Sequence, residues 1–164
     1  MTRHAPAPAR SRLPLSARWV LITLGTDVAA SVAAGSSLNR PWRLGPFSTT
    51  LVYHATSSIT VVPFHTWWLA PLLCLFAAAA LLAGWVSRQG IGCVGAGLAA
   101  GGILGNTLIG VLHPTRGVAD YLTVNHGPWF TSFNFADVGV VVGSLLLVLG
   151  VLLAARRGEL RLRA

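Results

Sequence analysis

FNFADVGVVVGSLLLVLGVLLAA, residues 133–155, is an apolar run with one acid, Asp137, near its start. From about residue 136 to 155 it is long enough to cross a hydrocarbon core, which takes about 20 apolar residues in a helix. Three other stretches meet the same measure: about 17–36 (ARWVLITLGTDVAASVAAGS), 66–86 (TWWLAPLLCLFAAAALLAGWV) and 91–112 (IGCVGAGLAAGGILGNTLIGVL). The expected fold class is a mainly α membrane protein, a four-transmembrane-helix bundle, with residues 1–164 forming a single integral membrane domain. The first span has the basic lead and small closing residues of a cleavable leader. Asp27 inside its apolar part and the length of the lead argue for a retained span.

The composition agrees with a membrane solvent. The chain is 54% hydrophobic and 10% charged, against about 25% charged in soluble domains. All twelve basic residues are Arg, and Arg3, Arg10, Arg12, Arg18, Arg156, Arg157, Arg161 and Arg163 sit in the two tails. Such charge flanks a membrane and forms no single face for nucleic acid, which is not an expected partner. Lys is absent while Ala, Gly and Arg abound, the composition of a high-GC bacterial genome.

Four spans put both termini on one side, together with Arg88 in the 87–90 connection. That side holds nine of the Arg residues, and the other holds Arg40, Arg43 and Arg116. The positive-inside rule therefore expects a multi-pass protein of the bacterial cytoplasmic (inner) membrane with both termini cytoplasmic. The connections at 37–65 and 113–135 then lie outside. Within about 44–63, FSTTLVYHATSSITVVPF is rich in Thr, Val, Ile, Tyr and Phe, which predicts a small extracytoplasmic β-sheet or hairpin. Trp67 and Trp68 follow it as an interfacial aromatic belt.

Gly97, Gly101 and Gly105 recur every four residues, and Gly139 and Gly143 do the same in the last span. Such spacing lets helix backbones approach closely in lipid. Cys74 and Cys93 lie at different expected depths, so both are read as packing residues without a disulfide. No pattern in the sequence sets an oligomeric state.

Of the four acids, only Glu159 belongs to a charged tail. Asp27 lies inside a span, where an ionisable group is a functional candidate; it could equally hydrogen-bond to neighbouring helices or loops. Asp137 near a helix start could be a capping residue. Asp120 lies on the same expected membrane side. Two Asp groups that meet share a proton, one activating water while the other polarises or protonates the peptide bond. His54, His65, His113 and His126 show no zinc spacing, so no metal is expected. Ser57 and Ser58 have no evident base. Arg116 suits a lipid phosphate, an Asp partner or plain solvation.

Three stretches, GGILGN at 101–106, GVADYL at 117–122 and FNFADVGVVVG at 133–143, make the chain resemble the lipoprotein signal peptidase (signal peptidase II) family. Family members carry a G-G-x-x-G-N stretch, a V-V-D-F-like segment and an F-N-x-A-D segment opening the last span. The resemblance implies a catalytic dyad at Asp120 and Asp137, with Asn106 and Asn134 as supporting polar residues. It implies lipidated prolipoproteins as substrates, membrane lipid as surroundings, a site near the extracytoplasmic face and no cofactor. Departures accompany it. Ile109 and Gly110 stand where the family has D-R, Ser31 where a Lys is common, and YHATSSITVVP replaces an N-x-G-A-A-F-like segment. The leading expectation is a membrane aspartyl endopeptidase cleaving before the lipidated Cys. The alternatives are an inactive scaffold or regulatory relative and, more remotely, a proton-linked carrier using Asp27.

Overall fold

The structure, a computed structural model, describes residues 14–37, 43–54, 66–87 and 90–160. In chain order these form α1 (Leu15–Ser37), β1 (Arg43–Leu44), β2 (Phe47–His54), α2 (Leu69–Ser87), α3 (Gly90–Leu112), β3 (Val118–His126), β4 (Trp129–Phe133) and α4 (Phe135–Arg157). All four helices are long and apolar enough to cross a membrane. Their outer faces expose Leu21, Leu75, Leu82, Val141, Leu145 and Leu152, as a helix surrounded by lipid requires. Two threonine hydroxyls inside the spans bond back to their own helix. Thr23 Oγ1 donates to the Trp19 carbonyl at 2.8 Å, and Thr107 Oγ1 to that of Ile103 at 2.6 Å.

Helix α3 sits at the centre, packed on α1, α2 and α4. Its small residues explain this place. Gly97, Gly101 and Gly105 face α1: a Cβ at Gly101 would come within 2.9 Å of the Val20 carbonyl oxygen. A second face, with Gly95 and Gly102, lies against α4, where Gly143 meets the backbone of Gly95 and Ala99. At Gly97 and Gly101 on the first face, and at Gly95 and Gly102 on the second, backbones come together where a larger side chain would collide. On the third side, Leu69, Leu73 and Ala77 of α2 form the core with Ala100, Ile103 and Val118. Cys74 and Cys93 are free thiols.

The strands form one antiparallel sheet in the order β1-β2-β3-β4. Strands β1 and β2 fall in the stretch where strands are expected; residues 55–63 of it lie outside the described residues, as do Ser57, Ser58 and His65. The other half of the sheet corrects the reading of 113–135 as a polar connection. A two-residue turn at Gly127 and Pro128 joins β3 to β4, with His126 paired to Trp129. Gly127 has φ 60°. Pro128 cannot take a positive φ, so the turn is of the II′ type that matches strand twist. Asp120 therefore stands on a strand, held in register opposite Val52.

Candidate active site

Helix α4 begins with Asn134 as its N-cap. The Asn134 side chain accepts from the Asp137 backbone N–H at 2.9 Å, and Asp137 Oδ2 accepts from the Asn134 N–H at 3.2 Å. This capping box satisfies two of the donors that a helix start leaves open. Asp137 is thus the third residue of the helix rather than its cap, and its carboxylate sits at the positive end of the helix dipole.

The same asparagine joins both candidate acids. Asn134 Nδ2 donates to Asp120 Oδ1 at 3.0 Å and to Asn106 Oδ1 at 3.0 Å. Asn106 Nδ2 in turn donates to Asp137 Oδ1 at 2.9 Å. The result is a continuous path from Asp120 through Asn134 and Asn106 to Asp137, drawing on β3, α4 and α3. Asn134 is fully buried and Asp120 is 7% exposed, so bulk water does not compete for these bonds. Asp137 is only partly covered, which leaves the pair open on the α4 side.

Asp27 completes the support from below. Its Oδ1 accepts from the Tyr121 hydroxyl at 3.1 Å and from the Ala136 N–H at 3.1 Å. Tyr121 Oη also accepts from the Phe135 N–H at 3.0 Å. The first three N–H groups of α4 thereby each have a side-chain acceptor: Tyr121, Asp27 and Asn134. Burial pushes the Tyr121 phenol above its ordinary pKa, so it stays protonated and remains a donor. Tyr121 was not a candidate from sequence; the signal was its place beside Asp120 in a strand-forming segment. Asp27 Oδ2 and Ser31 Oγ are buried and have no hydrogen-bond partner among the described residues.

These bonds give Asp27 a structural task. Asp27→Ala leaves the Tyr121 hydroxyl and the Ala136 N–H without an acceptor, at about 1–3 kcal/mol each. Loss of the unpartnered Oδ2 offsets part of this. The expected outcome is a net destabilisation of about 2–3 kcal/mol, read as a lower unfolding temperature in detergent; an unchanged midpoint would contradict it.

Not every candidate joins the site. Arg116 is exposed on the turn between α3 and β3 and lies outside the network. His113 is likewise exposed. The side chains of His54 and His126 lie outside the described residues. Among the described residues no group of three or more His, Cys, Asp or Glu is placed to hold a metal ion. On the α1 side of β3, an apolar cavity of about 370 Å³ is lined by Val28, Val32, Leu108, Leu112 and Ala119 among others.

Known proteins match both the sequence and the architecture. The family described as Signal peptidase (SPase) II matches residues 19–153. The lipoprotein signal peptidase of Mycobacterium tuberculosis H37Rv is 31% identical over 159 residues, covering 89% of this chain and 74% of that protein. The lipoprotein signal peptidase of Caulobacter vibrioides is 32% identical over 142 residues, covering 82% and 76%. A bacterial membrane enzyme solved in meso at 2.3 Å superposes with a TM-score of 0.64 at 18% identity, covering 91% of this chain and 93% of the other. A second, at 1.9 Å, gives 0.60 at 17% identity, covering 84% and 92%.

Proposed function

The chain belongs to the signal peptidase II family, and we propose that it is a membrane aspartyl endopeptidase cleaving signal peptides from diacylglyceryl-modified prolipoproteins before the lipidated Cys. The observation that carries this reading is the Asn134–Asn106 bridge joining Asp120 to Asp137 at the start of α4.

Two carboxylates in one polar network cannot both ionise cheaply. One stays ionised and takes a proton from the attacking water. The other is protonated, donates to the scissile carbonyl oxygen and stabilises the tetrahedral intermediate. Collapse of that intermediate breaks the C–N bond as a proton passes to the leaving amine of the lipidated Cys. Asn106 and Asn134 hold the carboxylates by fixed amide donors, so little reorganisation accompanies the reaction. The chain's own side chains supply both acid and base. The apolar cavity against β3 suits part of a lipid-modified substrate.

The test is direct. Purified protein in lipid should cleave a diacylglyceryl-modified prolipoprotein at the Cys, and should restore processing in a strain lacking signal peptidase II. Failure in both settings at normal abundance would refute the assignment.

The same reading places both termini in the cytoplasm, from the Arg asymmetry, and the site near the extracytoplasmic face. Trp129 is 78% exposed at the tip of the β3–β4 hairpin. In a variant with Cys74 and Cys93 replaced, Trp129→Cys should react with a membrane-impermeant thiol reagent in intact cells with a permeabilised outer envelope. Labelling only after disruption of the cytoplasmic membrane would reverse the orientation.

A further inference from the structure

We propose that Tyr121 is a positioning residue of this site: by tying the first turn of α4 to β3 and α1, it sets the separation of the Asp120 and Asp137 carboxylates. The proposal rests on the assignment of those carboxylates as the reacting pair.

Asp120 and Tyr121 are neighbours on β3, so their side chains leave opposite faces of the strand. On one face Asp120 meets Asn134. On the other, the Tyr121 hydroxyl reaches Asp27 and the backbone of Phe135. The first turn of α4 is therefore gripped on both sides of the strand that carries Asp120. The Tyr121 ring adds an edge-to-face contact with Phe135, centroids 5.6 Å apart and planes at 71°.

The sheet pairs both neighbours of Tyr121 but skips Tyr121 itself. The β2–β3 register passes from Thr49 opposite Leu122 to Val52 opposite Asp120. Two β2 residues thus face the single residue Tyr121, which is a bulge, and the ladder is interrupted there. Tyr121 is only 5% exposed, so water cannot take over its two bonds. Without the hydroxyl, the Phe135 N–H loses its acceptor and Asp27 Oδ1 keeps the Ala136 N–H alone of these two donors. The α4 turn, left on this side with only the Ala136 bond to Asp27, can then pivot about the Asn134 cap and carry Asp137 with it. A displacement of about 1 Å in a reacting group can cost about 10²-fold in rate.

The experiment uses the full chain in detergent with a lipidated prolipoprotein and rates expressed per folded molecule. Tyr121→Phe should lower kcat about ten- to a hundred-fold and leave KM within about threefold. It should also displace the pH–rate profile, because a changed separation alters the coupling between the carboxylates. Replacing Tyr121 with 4-aminophenylalanine keeps a donor to Asp27 but offers the Phe135 N–H a much poorer acceptor. Its kcat should fall between those of Tyr and Phe. If Tyr121→Phe yields too little folded protein, the aniline variant decides. A merely structural role lowers the unfolding temperature but leaves kcat and the pH profile at wild-type values; that result, in either variant, overturns the proposal. Wild-type cleavage by Asp120→Asn or Asp137→Asn overturns the underlying assignment instead, so the two failures are distinguishable.

Discussion

Replacing either Asp120 or Asp137 with Asn is expected to stop cleavage while leaving the protein folded in the membrane. Asn has nearly the same shape but cannot carry the proton that the reaction moves. Loss of a general acid or base costs about 10²–10⁴-fold, and loss of water activation by the pair costs more. The double variant should be little slower than either single one, because groups that act as a unit are strongly non-additive. The capping box makes this test sharp. Asp137 Oδ2 accepts from the Asn134 N–H, and an Asn side-chain oxygen at 137 can accept the same bond. A purely capping Asp137 therefore predicts an active Asp137→Asn enzyme. Rates from purified protein at equal folded amounts separate the readings.

The second large effect is expected at Asn134. This residue caps α4 and bridges the two acids, and Asn134→Ser divides those tasks. Ser caps a helix about as well as Asn, so the cap is kept, and the stability lost is that of the two bonds from the buried amide, about 1–3 kcal/mol each. The Ser hydroxyl cannot replace an amide that donates to both Asp120 and Asn106. A hydrogen bond to a charged group contributes about 1.5–3 kcal/mol. If that bond holds Asp120 in its reacting geometry, kcat should fall about 10- to 100-fold with KM little changed. Asn134→Ala should show the same rate loss and, beyond the stability lost in Asn134→Ser, about 1 kcal/mol more from the missing cap. Full activity in Asn134→Ser would reduce Asn134 to a capping residue.

The spans were plain in the sequence because membrane helices are apolar on every side, and lipid demands that pattern over their whole length. The β3–β4 hairpin was harder to see. Val118, Tyr121, Leu122 and Val124 favour strands, but His, Pro, Arg and Asp around them read as a polar link. Its pairing partner, β2, lies across two intervening spans. Tyr121 was invisible for a similar reason: its hydroxyl meets Asp27, 94 residues away. Asp27 likewise meets its partners only in three dimensions. At 1.5 Å per residue it lies about 18 Å along α1 from Leu15, which brings it under the first turn of α4, where it accepts the Ala136 N–H. Asn106 and Asn134, by contrast, were recognisable through the motifs around them, although their shared bridge appears only in three dimensions.

The parts of the site are scattered from one end of the chain to the other. Asp27 arrives with α1, Asn106 with α3, Asp120 with β3 and Asp137 with α4. Asp27 and the Ala136 N–H that it binds are separated by 109 positions. At about 5–20 residues per second, ribosomes take roughly 5–20 s to make that interval. For much of it β2 has no β3 to pair with, and throughout it Asp27 lacks the helix it will cap. The carboxylates cannot meet until the last span has entered the membrane. On the proposed assignment, a half-inserted chain would carry no assembled site. If Asp120 and Asp137 are the reacting pair, the site exists only once insertion is complete.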